Sequence, residues 1–520
     1  MSNQSVMAPN GMVSSIDHLA SSAGVAILQA GGTAVDAAIA TNAVLTVTSQ
    51  HGCGMGGDLF ALVHSADGPP AVLNASGRAG SGADPDRLRA EGLTAIPHRG
   101  HVCAAPVPGC VDGWLTLHER FGRLDLRDVL GPAILYAEAG FPAMPSLATA
   151  AQRLTPVEGH DFAGIEAGSI VHRPGVARAL RAIVAEGRSG FYGGEFGDQL
   201  LELGDGEYVE SDLSTSTAGW VSPLQIEVWG HDLWTVPPNS QGYLSLAGSA
   251  IAAQLDLPDD PRDPLWAHLM IEAARAAAFD RGAVLHEHAD GDALLAHERL
   301  EPRWQAISAD AAAAWGGSFG DGGTIHLTTV DREGMGVSLI QSNARDFGSH
   351  LVVGGTGIML HNRGIGFNRE AGHPAEYGPG RRPPHTLSPA LITRSDGSLR
   401  HVVGTMGGDA QPHVVQQLVT RLLRHAQNPG EAVAAGRFVL SSTDDASMFD
   451  VWQNHGDVRV IIEPWMESAW RAGLEERGHE VAIGPEPGQF GHAHAIERRP
   501  DGVLLGRSDP RATASAAQGY

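Results

Sequence analysis

Thr324 is the residue in this chain best placed to act as a nucleophile. Five of the eight residues before it are glycine (Gly316, Gly317, Gly320, Gly322 and Gly323), and the run Ile325-His326-Leu327-Thr328-Thr329-Val330 follows with a strand-like pattern. A flexible tether that ends at a hydroxyl on the first residue of a buried strand suits a chain that cuts itself between Gly323 and Thr324. A threonine hydroxyl is a weak nucleophile without an adjacent base, and an N-terminal threonine carries its own base, the α-amine. That amine titrates near about 7.7–8.0, where a general base is most useful in a cell. A bare Gly-Gly-Thr also describes a loop entering a strand, so the reading depends on the elements around it.

The pattern predicts those elements. Leu19, Ala23, Ile27 and Ala30 fall at helical steps within 17–30, and Gly31-Gly32 stops that helix. Thr33 with Asp36 forms a capping box that opens a second helix from Ala34 to about Val47. The glycine run from His51 to Gly57, with Asp58 at its end, follows a helix and opens a strand, Leu59 to Val63. A dinucleotide loop has the reverse order, so no nucleotide site is expected there. Residues 105–300 are rich in helical patterning, including helices over 266–280 and 292–300. Thr324–Val330 and Met335–Ser342 form a hairpin through Asp331-Arg332-Glu333-Gly334. A second strand pair spans Thr386–Thr393 and Leu399–Gly404, and Gly407-Gly408 then feeds a helix from Pro412. Backbone N–H groups at such a turn can face a developing negative charge.

Composition removes several chemistries. The chain has 520 residues and no lysine; all 35 basic residues are arginine. Schiff-base lysines, pyridoxal-phosphate enzymes, P-loop lysines and Ser–Lys dyads are excluded. A net charge of −24 argues against nucleic acid or an anionic membrane as partner. Cys53, Cys103 and Cys110 do not describe a disulfide scaffold. His286-Glu287-His288 lacks further ligands at zinc-type spacing, so a solvated loop, no metal and no cofactor are expected. The first twelve residues have neither a basic nor an apolar signal region, which makes a cytoplasmic location the expectation.

The blocks together resemble the γ-glutamyltranspeptidase family of N-terminal-nucleophile hydrolases along nearly the whole chain. They are Gly31-Gly32 with Ala34-Val35-Asp36-Ala37-Ala38, Gly54-Met55-Gly56-Gly57, Thr324-Ile325-His326-Leu327, Arg382-Pro383-Pro384-His385-Thr386-Leu387-Ser388-Pro389, Gly407-Gly408, Gly491-His492-Ala493-His494-Ala495-Ile496 and Ser508-Asp509-Pro510-Arg511. The resemblance implies an α+β fold, the four-layer αββα sandwich. It also implies autocleavage between Gly323 and Thr324, giving a large subunit of residues 1–323 (with its tether 316–323) and a small one of residues 324–520, both sharing one core. It assigns Thr324 as nucleophile, Gly407 and Gly408 as the oxyanion hole, and Ser342 as the hydroxyl that hydrogen-bonds the nucleophile. Arg78 matches the arginine that holds the substrate carboxylate, a task suited to its planar fork.

The chain departs from the family at the other end of the substrate. In His361-Asn362-Arg363-Gly364-Ile365-Gly366-Phe367, Gly366 stands where the family has the aspartate that grips the substrate amino group, and Arg363 replaces a glutamine. Ala344 replaces an asparagine, and His385-Thr386 replaces a serine pair at the carboxylate. The site keeps its carboxylate-binding arginine and loses the acid for the ammonium, which cannot stay unpaired in a closed site without cost. The chain therefore looks like the side branch resembling cephalosporin acylase and oxamate amidohydrolase. The expected activity is cleavage of a small amide that carries a free carboxylate, through an acyl-threonine. A true γ-glutamyltransferase or glutathione hydrolase, and a catalytically silent scaffold, are the rival readings. The oligomeric state stays open, a homo-oligomer included.

Overall fold

A computed structural model describes residues 4–520 apart from 67, 94, 155–156, 316–323, 443–457 and 485–486. The tether 316–323, Gly323 included, lies outside the described residues. Two seven-stranded sheets stack face to face, and each carries helices on its outer side. The first sheet runs, edge to edge, through Ala516–Gly519, Met12–Ser15, Ile325–Val330, Gly336–Ser342, Asp58–His64, Ala71–Ala75 and Gly219–Val221. The second runs through Val6–Ala8, Leu504–Ser508, Ala493–Arg498, Leu399–Thr405, Ala390–Arg394, His231–Thr235 and Leu224–Val228. Each sheet takes strands from both sides of the Gly323–Thr324 junction.

The layering follows from side-chain alternation. Successive residues of a strand point to opposite faces. Leu59, Ala61 and Val63 pack with the helices of the first outer layer, while Phe60 and Leu62 pack between the sheets. Ile325, Leu327, Val337 and Leu339 face the same helices, and Ile340 faces the second sheet. On the second sheet Ala390 and Ile392 pack outward and Leu391 inward. Both sheets are thus covered on both faces, which is why the strands Asp58–His64, Ile325–Val330 and Gly336–Ser342 are buried along their whole length. The architecture is the four-layer αββα sandwich.

The helices expected from capping chemistry form at the expected places. Asp17 caps His18–Gln29 through the Leu19 N–H, and Thr33 and Asp36 close a reciprocal capping box at the start of Ala34–Thr48. Two expectations shift. The helix expected over 292–300 is two short helices, Gly291–Leu295 and His297–Gln305, because Ala296 adopts an extended conformation (φ −58°, ψ 139°) between them. The strand expected from Thr386 begins only at Ala390. Side chains take the backbone groups of 386–389 instead. Gln241 bonds the Thr386 carbonyl, Ser240 that of Leu387, Thr235 that of Pro389, and Gln411 accepts the Ser388 N–H. Pro389 has no N–H to give a ladder.

Gly404 shows how tightly the sheets meet. A Cβ there would lie 2.3 Å from His326 Nε2. That ring is fully buried, bonded to Ser338 Oγ at 2.9 Å, and cannot withdraw. Gly404→Ala should therefore destabilise the fold by about 1–3 kcal/mol, the usual range for overpacking, read as a lower midpoint in denaturant melts. An unchanged midpoint would show that the ring relocates freely.

Candidate active site

The strand register sets three polar side chains in a row. Ser342 pairs with Asp58, and Ile325 pairs with Gln341, so Thr324 stands across from Ser342. Cross-strand partners share a face. Thr324, Ser342 and Asp58 therefore face the inter-sheet side at one end of the first sheet, and all three are buried. Thr324 Oγ1 lies 3.2 Å from Ser342 Oγ, which also accepts the Ala344 N–H at 2.7 Å. Ala344 has a left-handed backbone (φ 73°), as do Asp346, Phe347 and His350 after it. Non-glycine residues in this region carry strain and gather at functional sites. The glycine run serves the same row: a Cβ at Gly57 would lie 2.3 Å from the Ser342 carbonyl, so only glycine lets that loop approach.

Asp58 is the hub on the far side of Ser342. Its Oδ2 accepts Arg363 Nε at 2.8 Å and His385 Nε2 at 2.9 Å, and His361 Nδ1 is 3.5 Å away. Arg363 Nη1 also donates to Thr386 Oγ1 at 2.9 Å. Burial works to raise the Asp58 carboxyl, but the Arg363 guanidinium wins and holds it well below the usual carboxylate range. His385 Nδ1 accepts the Leu387 N–H, which leaves Nε2 as the donor to Asp58. Arg363, expected at the amino end of the substrate, and His385 and Thr386, expected at its carboxylate end, meet around one acid read in the sequence only as the end of a glycine run. The available signal was a carboxylate placed directly before five apolar strand residues.

Gly407 and Gly408 (φ +132° and +57°) form the turn between Leu399–Thr405 and the helix Gln411–Leu423. Gln241 fixes the turn from one side, donating to the Gly408 carbonyl at 3.1 Å and to the Thr386 carbonyl at 3.0 Å. Arg281 in turn donates to Gln241 Oε1 at 2.7 Å and Asp409 Oδ1 at 3.0 Å. The turn is thus tied to Thr386, and through Arg363 to Asp58.

Arg78 sits apart from this row in a cluster of arginines. Its Nη1 donates to Glu287 Oε2 at 3.1 Å and to the Gly380 carbonyl at 2.8 Å. Arg382 is buried and donates to Ser76 Oγ and the Gly77 carbonyl. Burial first, then the neighbouring Arg78, pushes the Arg382 guanidinium down to about 9, with Glu287 opposing. The loop His286-Glu287-His288, expected to be solvated, is so only in part. His288 is 73% exposed, but the Glu287 carboxylate is 9% exposed, because Arg78 and the Arg382 N–H draw it in.

This order of elements, with a buried threonine opening a central strand and a paired-glycine turn at the mouth of the second sheet, matches one family model, gamma-glutamyltranspeptidase, over residues 20–519. The chain belongs to the γ-glutamyltranspeptidase family. It is 34% identical to the oxamate amidohydrolase proenzyme of Klebsiella pneumoniae subsp. pneumoniae over 100% of both chains. It is 32% identical to the glutathione hydrolase-like YwrD proenzyme of Bacillus subtilis over 99% of each. The crystal structure of a cephalosporin acylase from Bacillus halodurans superposes with a TM-score of 0.89 at 32% identity, covering 99% of this chain and 97% of that one.

Elsewhere in this family member, His268, Glu272 and His479 have the donor types of a metal site. Their polar atoms are partnered by the chain itself. His268 Nδ1 meets His479 Nε2 at 2.8 Å and its Nε2 meets the Ser308 carbonyl at 2.7 Å, while Glu272 accepts Arg275 Nη1 and the Ala313 N–H. The cluster pins residues 308–313 to the helix Pro264–Ala278.

The buried imidazole gives the site a pH signature. Burial first, then Arg363, pushes His385 down to about 3, with Asp58 opposing. An unfolded imidazole titrates near about 6.5. Between those values the unfolded chain binds a proton that the native chain refuses, so stability present above about pH 6.5 falls as the pH drops toward the folded value. Asp58 acts lower, its contribution being lost only as the pH falls below about 3.9. Denaturant melts from about pH 7.5 to about 4.5 should show a slope that His385→Gln reduces by up to about 1.4 kcal/mol per pH unit. An unaltered slope would mean that His385 takes up its proton in the native state.

Proposed function

We propose that this chain is an autoprocessing amidohydrolase that cleaves a small amide bearing a free carboxylate, through an acyl ester on Thr324. It is an amide-bond hydrolase or transferase by family, and its relatives named proenzymes support processing at Gly323–Thr324 into a 1–323 large subunit and a 324–520 small subunit. The observation that carries the mechanism is the buried Thr324 hydroxyl 3.2 Å from Ser342 Oγ, at the first residue before a central strand. In processing, Thr324 Oγ1 attacks the Gly323 carbonyl and the Gly323–Thr324 C–N bond breaks, which leaves an ester and frees the α-amine; water then hydrolyses the ester, releasing the Gly323 carboxylate and the Thr324 hydroxyl. In turnover that amine takes the hydroxyl proton as Oγ1 attacks the substrate carbonyl. The Gly407 and Gly408 N–H groups receive the oxyanion, its collapse expels the protonated amine, and water then hydrolyses the acyl ester.

The charge balance supports the substrate class. The Arg78 and Arg381 guanidinium groups and the Arg382 backbone N–H converge on Glu287, a concentration of positive charge that favours a carboxylate. Asp58, the acid near Thr324, is already paired with Arg363, and Gly366 brings no second acid to the position where the family grips an ammonium. Glutathione hydrolysis is the second reading, favoured by the name of the Bacillus subtilis relative.

Thr324→Ala should run as one band on a denaturing gel and be inactive, whereas wild type should give two bands and an N-terminal sequence beginning at Thr324. An intact, active wild-type chain would overturn the nucleophile assignment. A glutaryl amide should match or exceed the corresponding γ-glutamyl amide in kcat/KM, and Gly366→Asp should move preference toward the γ-glutamyl compound. A wild-type preference of about tenfold for the γ-glutamyl amide, ~1.4 kcal/mol in transition-state binding, would favour glutathione hydrolysis instead.

A further inference from the structure

Glu287 lies on the loop between the helices Arg281–Val284 and Gly291–Leu295. One carboxylate oxygen accepts Arg78 Nη1 at 3.1 Å; the other accepts the Arg382 N–H at 3.2 Å, with Arg381 Nε at 3.9 Å. The Arg78 side chain is 40% exposed, against 9% for Glu287. The contacts to Glu287 and to the Gly380 carbonyl are made by the same terminal nitrogen of Arg78, so the guanidinium is gripped at one corner on a side chain still open to solvent. Arg382 is its buried neighbour, and the two like charges repel. Without a counter-charge between them, the exposed member is the one free to swing outward.

We propose that Glu287 is a positioning residue for substrate recognition: it holds Arg78 from behind, against repulsion from Arg381 and Arg382, so that the remaining edge of the guanidinium is presented to a substrate carboxylate. This rests on the carboxylate reading of the site given above. Glu287 does not itself touch substrate. Its charge lowers the cost of keeping three guanidinium groups together, and its hydrogen bond fixes the fork of one of them, so less ordering remains when the ligand arrives. The opposite consequence, that Glu287 competes with the substrate for Arg78, carries the opposite sign in the same experiment.

Processed wild type, Glu287→Gln, Glu287→Asp and Arg78→Met are titrated with glutarate by calorimetry and assayed with glutaryl-p-nitroanilide. Glu287→Gln should weaken glutarate binding and raise KM about tenfold, as loss of a buried charge partner does at a recognition site, with kcat changed by less than about twofold. Glu287→Asp should recover part of the loss, and Arg78→Met should abolish binding. A merely structural role would instead lower kcat and the melting midpoint without separating KM from kcat. If Arg78→Met loses glutarate while Glu287→Gln binds it as well as or better than wild type, the role of Glu287 falls and the carboxylate reading stands. If wild type binds no glutarate, or Arg78→Met binds it unchanged, the carboxylate reading fails and takes this inference with it.

Discussion

A carboxylate with no access to water must be answered by charge, and at the end of the first sheet Asp58 is answered by Arg363. Taking one partner from such a buried pair leaves an uncompensated ion and costs about 3–5 kcal/mol. The pair therefore fixes where the segment 361–367 lies, against the Asp58 end of the row formed by Thr324, Ser342 and Asp58. Through Arg363 Nη1 the same pair holds Thr386, whose carbonyl shares Gln241 with that of Gly408. Thr324 and the glycine turn belong to different sheets, and this chain of bonds ties the row of Thr324, Ser342 and Asp58 to the turn.

The helix-rich region between the sheets' strands braces the site from outside. Arg281 and Glu287 are six residues apart on one segment. The first reaches the Gly408 turn through Gln241 and Asp409, and the second reaches Arg78. The cluster of His268, Glu272 and His479 holds residues 308–313 on the neighbouring helix and joins it to a residue beyond Thr324. Strands and side chains from both sides of the Gly323–Thr324 junction interleave in the layers, so a cut peptide bond there would leave the core intact.

Charge is distributed unevenly between the two groups of arginines. Near Thr324 the Asp58 carboxylate is taken up by Arg363. At the other end the arginines outnumber the acids around Glu287. The Asp58 end of the row is charge-balanced, and the Arg78 cluster is cationic.

Periodicity and capping chemistry, both local, were enough to determine the helices His18–Gln29 and Ala34–Thr48, the hairpin that follows Thr324 and the glycine turn. The ordered motif blocks determined the family and hence the αββα layering. The sequence could not show that Thr386 bonds to side chains rather than opening a strand, or that His385 meets Asp58, because the partners Asp58, Arg363 and Gln241 are distant in the chain. Nor could it show Glu287 drawn under Arg78, since a Glu between two histidines reads as solvated until 209 residues of separation are closed by folding. Local hydrogen bonding and hydrophobic alternation are written into neighbouring residues. The pairing of buried charges is set by which strands lie side by side, and only the tertiary structure decides that.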